Sequence, residues 1–149
     1  MDRDNLQSCI IRMLDTRTDW RTRREAVTSV ASNFDNLSCD NRLLTRRALG
    51  RVLESDASAY VRYEVARVFS LFCNPVVKVA QVGFRDLAPL VSALLNDTSL
   101  RVRYAAARGL EIYSNNQPIQ QAFRYALKDP FPAVRGIAEH VLGLGKTRD

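Results

Sequence analysis

With 149 residues, 46% of them hydrophobic and 26% charged, the chain has a globular composition and too much apolar material for a disordered protein. Its formal net charge of +6 favours acidic partners, whether nucleic acid, an anionic ligand or an acidic protein surface. No stretch approaches the roughly 18 apolar residues of a membrane span. The opening MDRDNLQSC is unlike a signal peptide. Three scattered cysteines, Cys9, Cys39 and Cys73, suit free thiols in a reducing cytoplasm better than a disulfide framework. The expectation is a cytoplasmic, single-domain protein over residues 1–149.

In chain order, apolar residues recur at helical spacing. Leu6, Ile10, Met13 and Leu14 predict a first helix, and Thr22-Arg23-Arg24-Glu25-Ala26 lies in a second. Leu44, Ala48, Leu49 and Val52 predict a third; Val61, Val65, Val68, Phe69 and Phe72 predict a fourth. Asn74-Pro75 punctuates the chain, and Val76 to Gly83 reads as an extra helical turn or an extended linker. Leu87, Leu90, Val91, Leu94 and Leu95 give a fifth helix, and Val102-Arg103-Tyr104-Ala105-Ala106 lies in a sixth. After Asn115-Asn116-Gln117-Pro118, a seventh carries Ile119, Phe123, Ala126 and Leu127. Pro130 and Pro132 suit the start of an eighth, which Gly143 and Gly145 end.

The second helix of each pair repeats a motif. Arg23, Arg62, Arg103 and Arg135 align, at spacings of 39, 41 and 32 residues. Six residues before the last three stand Asp56, Asp97 and Asp129, each preceded by a leucine: Leu53, Leu95 and Leu127. Asp97 and Asp129 sit where an acid can cap the next helix. The first copy departs from the pattern: residue 17 is arginine, and its acids are Asp15 and Asp19.

This pattern, L-x-D-x-x-x-x-V-R-x-x-A, resembles the HEAT-repeat family, including the short HEAT-like repeats of bilin-lyase-type proteins. The resemblance spans roughly Asp4 to Leu144. It implies an all-α fold, a right-handed α-solenoid of about four helix pairs over residues 4–34, 37–73, 84–114 and 117–145. In this repeat type the aligned arginine reaches an aspartate of its own or the neighbouring turn. Asp56, Arg62, Asp97, Arg103, Asp129 and Arg135 would then form a structural ladder. Second helices would line the concave surface.

At about 100° per residue, Tyr60, Tyr63 and Arg67 lie opposite the core face of their helix. The same positions hold Arg101, Tyr104 and Arg108 in the third repeat, and Arg21, Arg24 and Thr28 in the first. In the fourth they hold Ala133, Gly136 and His140. Stacking would bring them into one column, with Glu64 and Glu111 close enough to neutralise part of it. Arginine forks suit carboxylates and phosphates, and tyrosine offers a stiff apolar face. The column reads as a binding wall or as an ordinary solvated face; the sequence leaves both open.

Catalytic chemistry finds little support. His140 is the single histidine, which excludes a three-histidine zinc site, and no phosphate loop or nucleophile elbow occurs. Some HEAT-repeat enzymes hold two irons with repeated His-Glu pairs; here Glu139-His140 occurs once, in the reverse order. No metal or cofactor is expected. Asp19-Trp20 is similar to the aromatic-plus-carboxylate sites of HEAT-like DNA glycosylases, but Trp20 also reads as a packing residue.

The favoured expectation is a non-enzymatic adaptor binding an acidic protein segment. Replacing Arg67 and Arg108 by glutamate is expected to abolish capture with little change in thermal stability. A nucleic-acid-binding module is the alternative, although lysines are scarce (Lys78, Lys128, Lys146). A bilin-lyase-like or chromophore-chaperone subunit ranks third. Ile137, Val141, Leu142 and Leu144 leave an apolar solenoid end, either partly exposed or covered by a second copy as a homodimer.

Overall fold

A computed structural model describes residues 1–73 and 84–144, the side chain of Phe84 excepted. The readings of Asn74-Pro75, Val76 to Gly83 and Gly145 lie outside the described residues, which contain eight α-helices and no strand. They are α1 (Arg3–Leu14), α2 (Trp20–Ser32), α3 (Cys39–Ser55), α4 (Ala59–Cys73), α5 (Phe84–Asn96), α6 (Leu100–Leu110), α7 (Gln117–Ala126) and α8 (Pro132–Val141). Short 3-10 turns at Phe34–Asn36 and Glu111–Tyr113 follow α2 and α6.

Local chemistry sets the helix starts. Asp2, Asp19, Ser38 and Asn116 each accept a backbone N–H from the first turn of α1, α2, α3 and α7, occupying donors that the helix itself leaves unpaired. Pro132 opens α8, where a missing N–H costs nothing. Gly143, at φ +67°, closes α8 in the left-handed conformation that favours glycine. Asp97 and Asp129 act one step earlier than the sequence suggests. Their carboxylates accept the N–H of Ser99 and Phe131, the residues just before α6 and α8, at 2.8 Å. They therefore build the turn and leave the helices' own first N–H groups to others.

The helices form four antiparallel pairs, stacked in two layers. First helices α1, α3, α5 and α7 pack in sequence on one side, and second helices α2, α4, α6 and α8 on the other. The fold is an all-α solenoid. The core runs between the layers as one cluster, from Leu6 and Met13 through Phe69, Phe72 and Leu90 to Phe123 and Ala138. Close approach of α3 and α5 leaves little room at Gly50: a Cβ there would stand 3.3 Å from Pro89 Cγ. Arg46 of α3 also bridges to Asp86 of α5 at 2.7 Å.

Three residues expected in the core lie at its rim. Leu14, Leu44 and Leu95 are exposed, because a first helix meets neighbours along the stack and its own partner but leaves its outer edge to water. At the C-terminal end, Ile137 is buried, Val141 and Leu142 are half-buried, and Leu144 is exposed.

Candidate functional site

Two sets of arginines occupy different faces of the second helices. In the first, each aligned arginine spans two repeats. Arg62 donates from Nε and Nη2 to the two carboxylate oxygens of Asp97, at 2.7 and 3.0 Å. Its Nη1 turns back to the carbonyls of Asp56 and Ala57 in its own loop. Arg103 does the same with Asp129, at 2.7 and 3.2 Å, and with the carbonyls of Asp97 and Thr98. The fork therefore goes to the next repeat's aspartate, while its own turn supplies carbonyls.

The irregular first copy joins this ladder. Arg23 holds Asp56 through the same two-point contact, at 2.7 and 3.0 Å, and Nη1 donates to the Thr18 carbonyl. It is the most deeply buried rung, with side chains 7% and 3% exposed. Arg135 binds the carbonyls of Asp129 and Pro130 and has no carboxylate partner among the described residues. Paired arginines keep their charge: the hydrogen bond to aspartate, set against burial, raises the basicity of Arg23 and Arg62.

The second set is the column. Tyr63, Arg67, Tyr104 and Arg108 line one hollow of about 320 Å³ with Ser70 and Gly109. Arg67 and Arg108, on neighbouring helices, thus face the same space. Tyr104, Arg108 and His140 line the next hollow, of about 630 Å³, between α6 and α8. Trp20, Arg21, Arg24 and Thr28 line a third, of about 520 Å³, at the α2 end. Tyr60 joins that end: its ring stacks on Trp20 at 4.9 Å, and the Arg21 guanidinium lies 4.7 Å from the Trp20 ring centre. Arg101 is exposed on the first turn of α6 and, like Arg21, makes no ion pair among the described residues.

Glu64, read from the sequence as close enough to neutralise part of the column, is buried. Its side chain is 4% exposed, beneath the column, where Arg67 Nη2 donates to it at 2.5 Å and Arg24 Nε lies 3.7 Å away. Thr28 completes its surroundings at 3.5 Å. Burying a carboxylate is costly unless it is paired, so Glu64 ties Arg24 and Arg67 inward and joins α2 to α4. Arg108 bridges instead to Glu111 at 2.7 Å, closer to solvent. Half of the Arg67 and Arg108 side chains nonetheless remains open, 55% and 58% respectively.

The sequence places Glu64 close to the column but does not show its burial, and it does not place Trp20 beside Tyr60. Trp20 immediately precedes Arg21 and is partly buried against the core. Glu64 lies two residues beyond Arg62, and the approach of α2 helps to enclose it. Asp19, read as one half of an aromatic-plus-carboxylate site, is engaged by the N–H groups of Arg21 and Thr22 and the Thr22 hydroxyl.

The Cys73 thiol offers little nucleophilic chemistry. Burial pushes Cys73 up to about 12, so it is protonated at neutral pH and a poor nucleophile. Tyr113, beside it, is likewise pushed up by burial. No cysteine lines the hollow that His140 lines. Among the described residues, no three of His, Cys, Asp and Glu cluster as metal ligands, and no helix is long and apolar enough to cross a membrane.

A family model described as HEAT repeats matches residues 46–143, from within α3 to just beyond α8. With more than half of its length matched, the chain belongs to the HEAT-repeat family. Members commonly serve as scaffolds for protein interactions and are typically non-enzymatic. No curated protein matches the chain.

Proposed function

We propose that this protein is an adaptor whose second-helix column binds an acidic segment of a partner protein. One observation carries the reading: Arg67 and Arg108, from successive repeats, flank a single hollow with Tyr63 and Tyr104 beside them. Arginine and tyrosine are the side chains most enriched where binding energy concentrates. The repeat places them at a regular interval along the stack, as an extended ligand requires. The buried Glu64 and the partly open Glu111 moderate the charge, which favours a protein segment of mixed character over a uniform polyphosphate.

The test avoids arginines with buried partners. Arg101→Glu with Arg108→Gln alters the exposed part of the column and keeps a hydrogen-bonding group opposite Glu111. Affinity capture from nuclease-treated lysate of the source cells should yield a protein that the wild type binds and this variant loses, with the melting temperature unchanged. Equal capture by both proteins rejects the groove. Capture abolished by nuclease points to nucleic acid instead.

A further inference from the structure

The hollow between α6 and α8 exists because the fourth repeat empties the column. Where α4 and α6 carry Tyr63 and Tyr104, α8 carries Gly136, and where they carry Tyr60 and Arg101, it carries Ala133. A Cβ built on Gly136 meets nothing within 4 Å. No close packing therefore calls for glycine there, and glycine is the weakest helix former after proline. The space it leaves, about 630 Å³, has an apolar side in Ile112 and Ile137. Its other side holds Tyr104, Arg108, Glu111, Ser114 and His140.

We propose that this hollow is the anchor subsite of the groove, receiving one bulky aromatic side chain from an acidic partner segment. The proposal rests on the column being a protein-binding surface and specifies what that surface recognises. The aromatic side chain enters where Gly136 leaves room and lies against Ile112 and Ile137. Carboxylates flanking it in the partner meet Arg108 at the edge of the hollow and Arg101 and Arg67 farther along the column. Charge complementarity selects this occupant at the level of the column: Glu111 also lines the hollow and offsets Arg108, whose side chain stays 58% exposed, while the exposed Arg101 beside it makes no ion pair among the described residues.

The test uses two fluorescent Asp/Glu-rich peptides that differ only in a central tryptophan or alanine, with a labelled oligothymidylate as the nucleic-acid probe. Anisotropy titration should show the tryptophan peptide binding on the order of tenfold more tightly than its alanine counterpart, the effect of burying one large apolar side chain. Gly136→Tyr restores the residue found in the second and third repeats and fills the hollow. It should abolish the tryptophan advantage without changing the weaker alanine binding. Gly136→Ala separates the effects: it stabilises the helix as Gly136→Tyr does but leaves most of the space, so the advantage should survive. Equal binding of both peptides by the wild type, lost in Arg101→Glu/Arg108→Gln, would overturn the anchor subsite and leave the acidic groove standing. Binding of neither peptide overturns both readings, and oligothymidylate bound in their place would give the groove to nucleic acid.

Discussion

Arg23, Arg62 and Arg103 share their helices with Arg24, Arg67 and Arg108, yet the two sets are held in opposite ways. The first set lies at the edge of the stack, and each fork closes on both oxygens of an aspartate in the following repeat. The second set lies on the open face, where each arginine meets a glutamate through one contact and half of its side chain stays in water. A guanidinium with both forks occupied and its neighbours closed around it can fix register but cannot recruit a ligand. One with a single contact can still offer donors to an incoming carboxylate. Residue type is shared; the position of the nearest carboxylate decides the role.

The largest expected effect breaks the deepest rung. Asp56→Ala leaves the buried Arg23 without a carboxylate and the Ser58 N–H without its acceptor. Removing one partner of a buried pair typically costs about 3–5 kcal/mol. Because repeat stability depends on nearest-neighbour interfaces, the loss should localise between the first two helix pairs. Urea unfolding would measure it, and hydrogen exchange should show α1 and α2 opening before α5 to α8. A stability equal to wild type would mean that the ladder does not fix the stack.

A smaller loss is expected from Arg67→Glu, and it sharpens the contrast within the column. The sequence alone suggests that charge reversal there is nearly neutral. The structure corrects this, because Arg67 is the closest counter-charge of the buried Glu64. A second carboxylate in its place should cost about 1–3 kcal/mol, the range for a hydrogen bond to a charged group, at the lower end because Arg67 is half exposed. Adding Glu64→Gln should recover part of that loss, and a double-mutant cycle read by thermal melting would measure the coupling. Additive effects would show that the two side chains do not interact.

These arginines also mark what the sequence could and could not reveal. The helix pairs were legible because Leu6, Met13, Leu49, Val65, Phe69 and Phe123 fall at helical spacing and all become buried. The shared hollow between Arg67 and Arg108 followed from adding a stacking register to that periodicity. The first rung was less legible: the first copy has no aspartate of its own at position 17, and only the rule that each fork reaches the next repeat, here 33 residues downstream, assigns Asp56 to Arg23. The burial of Glu64 was not legible, since a helical wheel leaves it near the surface and the approach of α2 helps to enclose it. Leu44 and Leu95 fail for the opposite reason, since periodicity assigns them to an apolar stripe but cannot say how wide a stripe the neighbouring helices cover. Pairwise spacing reaches as far as one helix; enclosure by a second or third helix is a property of the stack.

A graded pair of losses tests the last rung against its neighbour. Arg103 and Arg135 make the same pair of bonds to the loop before their helix, but among the described residues only Arg103 adds a carboxylate, that of Asp129. If the inter-repeat fork dominates, Arg103→Ala should cost about 3 kcal/mol or more, because it strands the buried Asp129. Arg135→Ala should cost only about 1–2 kcal/mol, for bonds to carbonyls. Asp129 itself would scarcely respond to the second substitution, since Arg103 still holds it. Equal losses would place the stabilisation in the loop carbonyls and remove the aspartate fork as the source of register. The first copy has no aspartate at the matching position, residue 17. Arg17 instead pairs with Asp15 two residues away and stands 89% exposed.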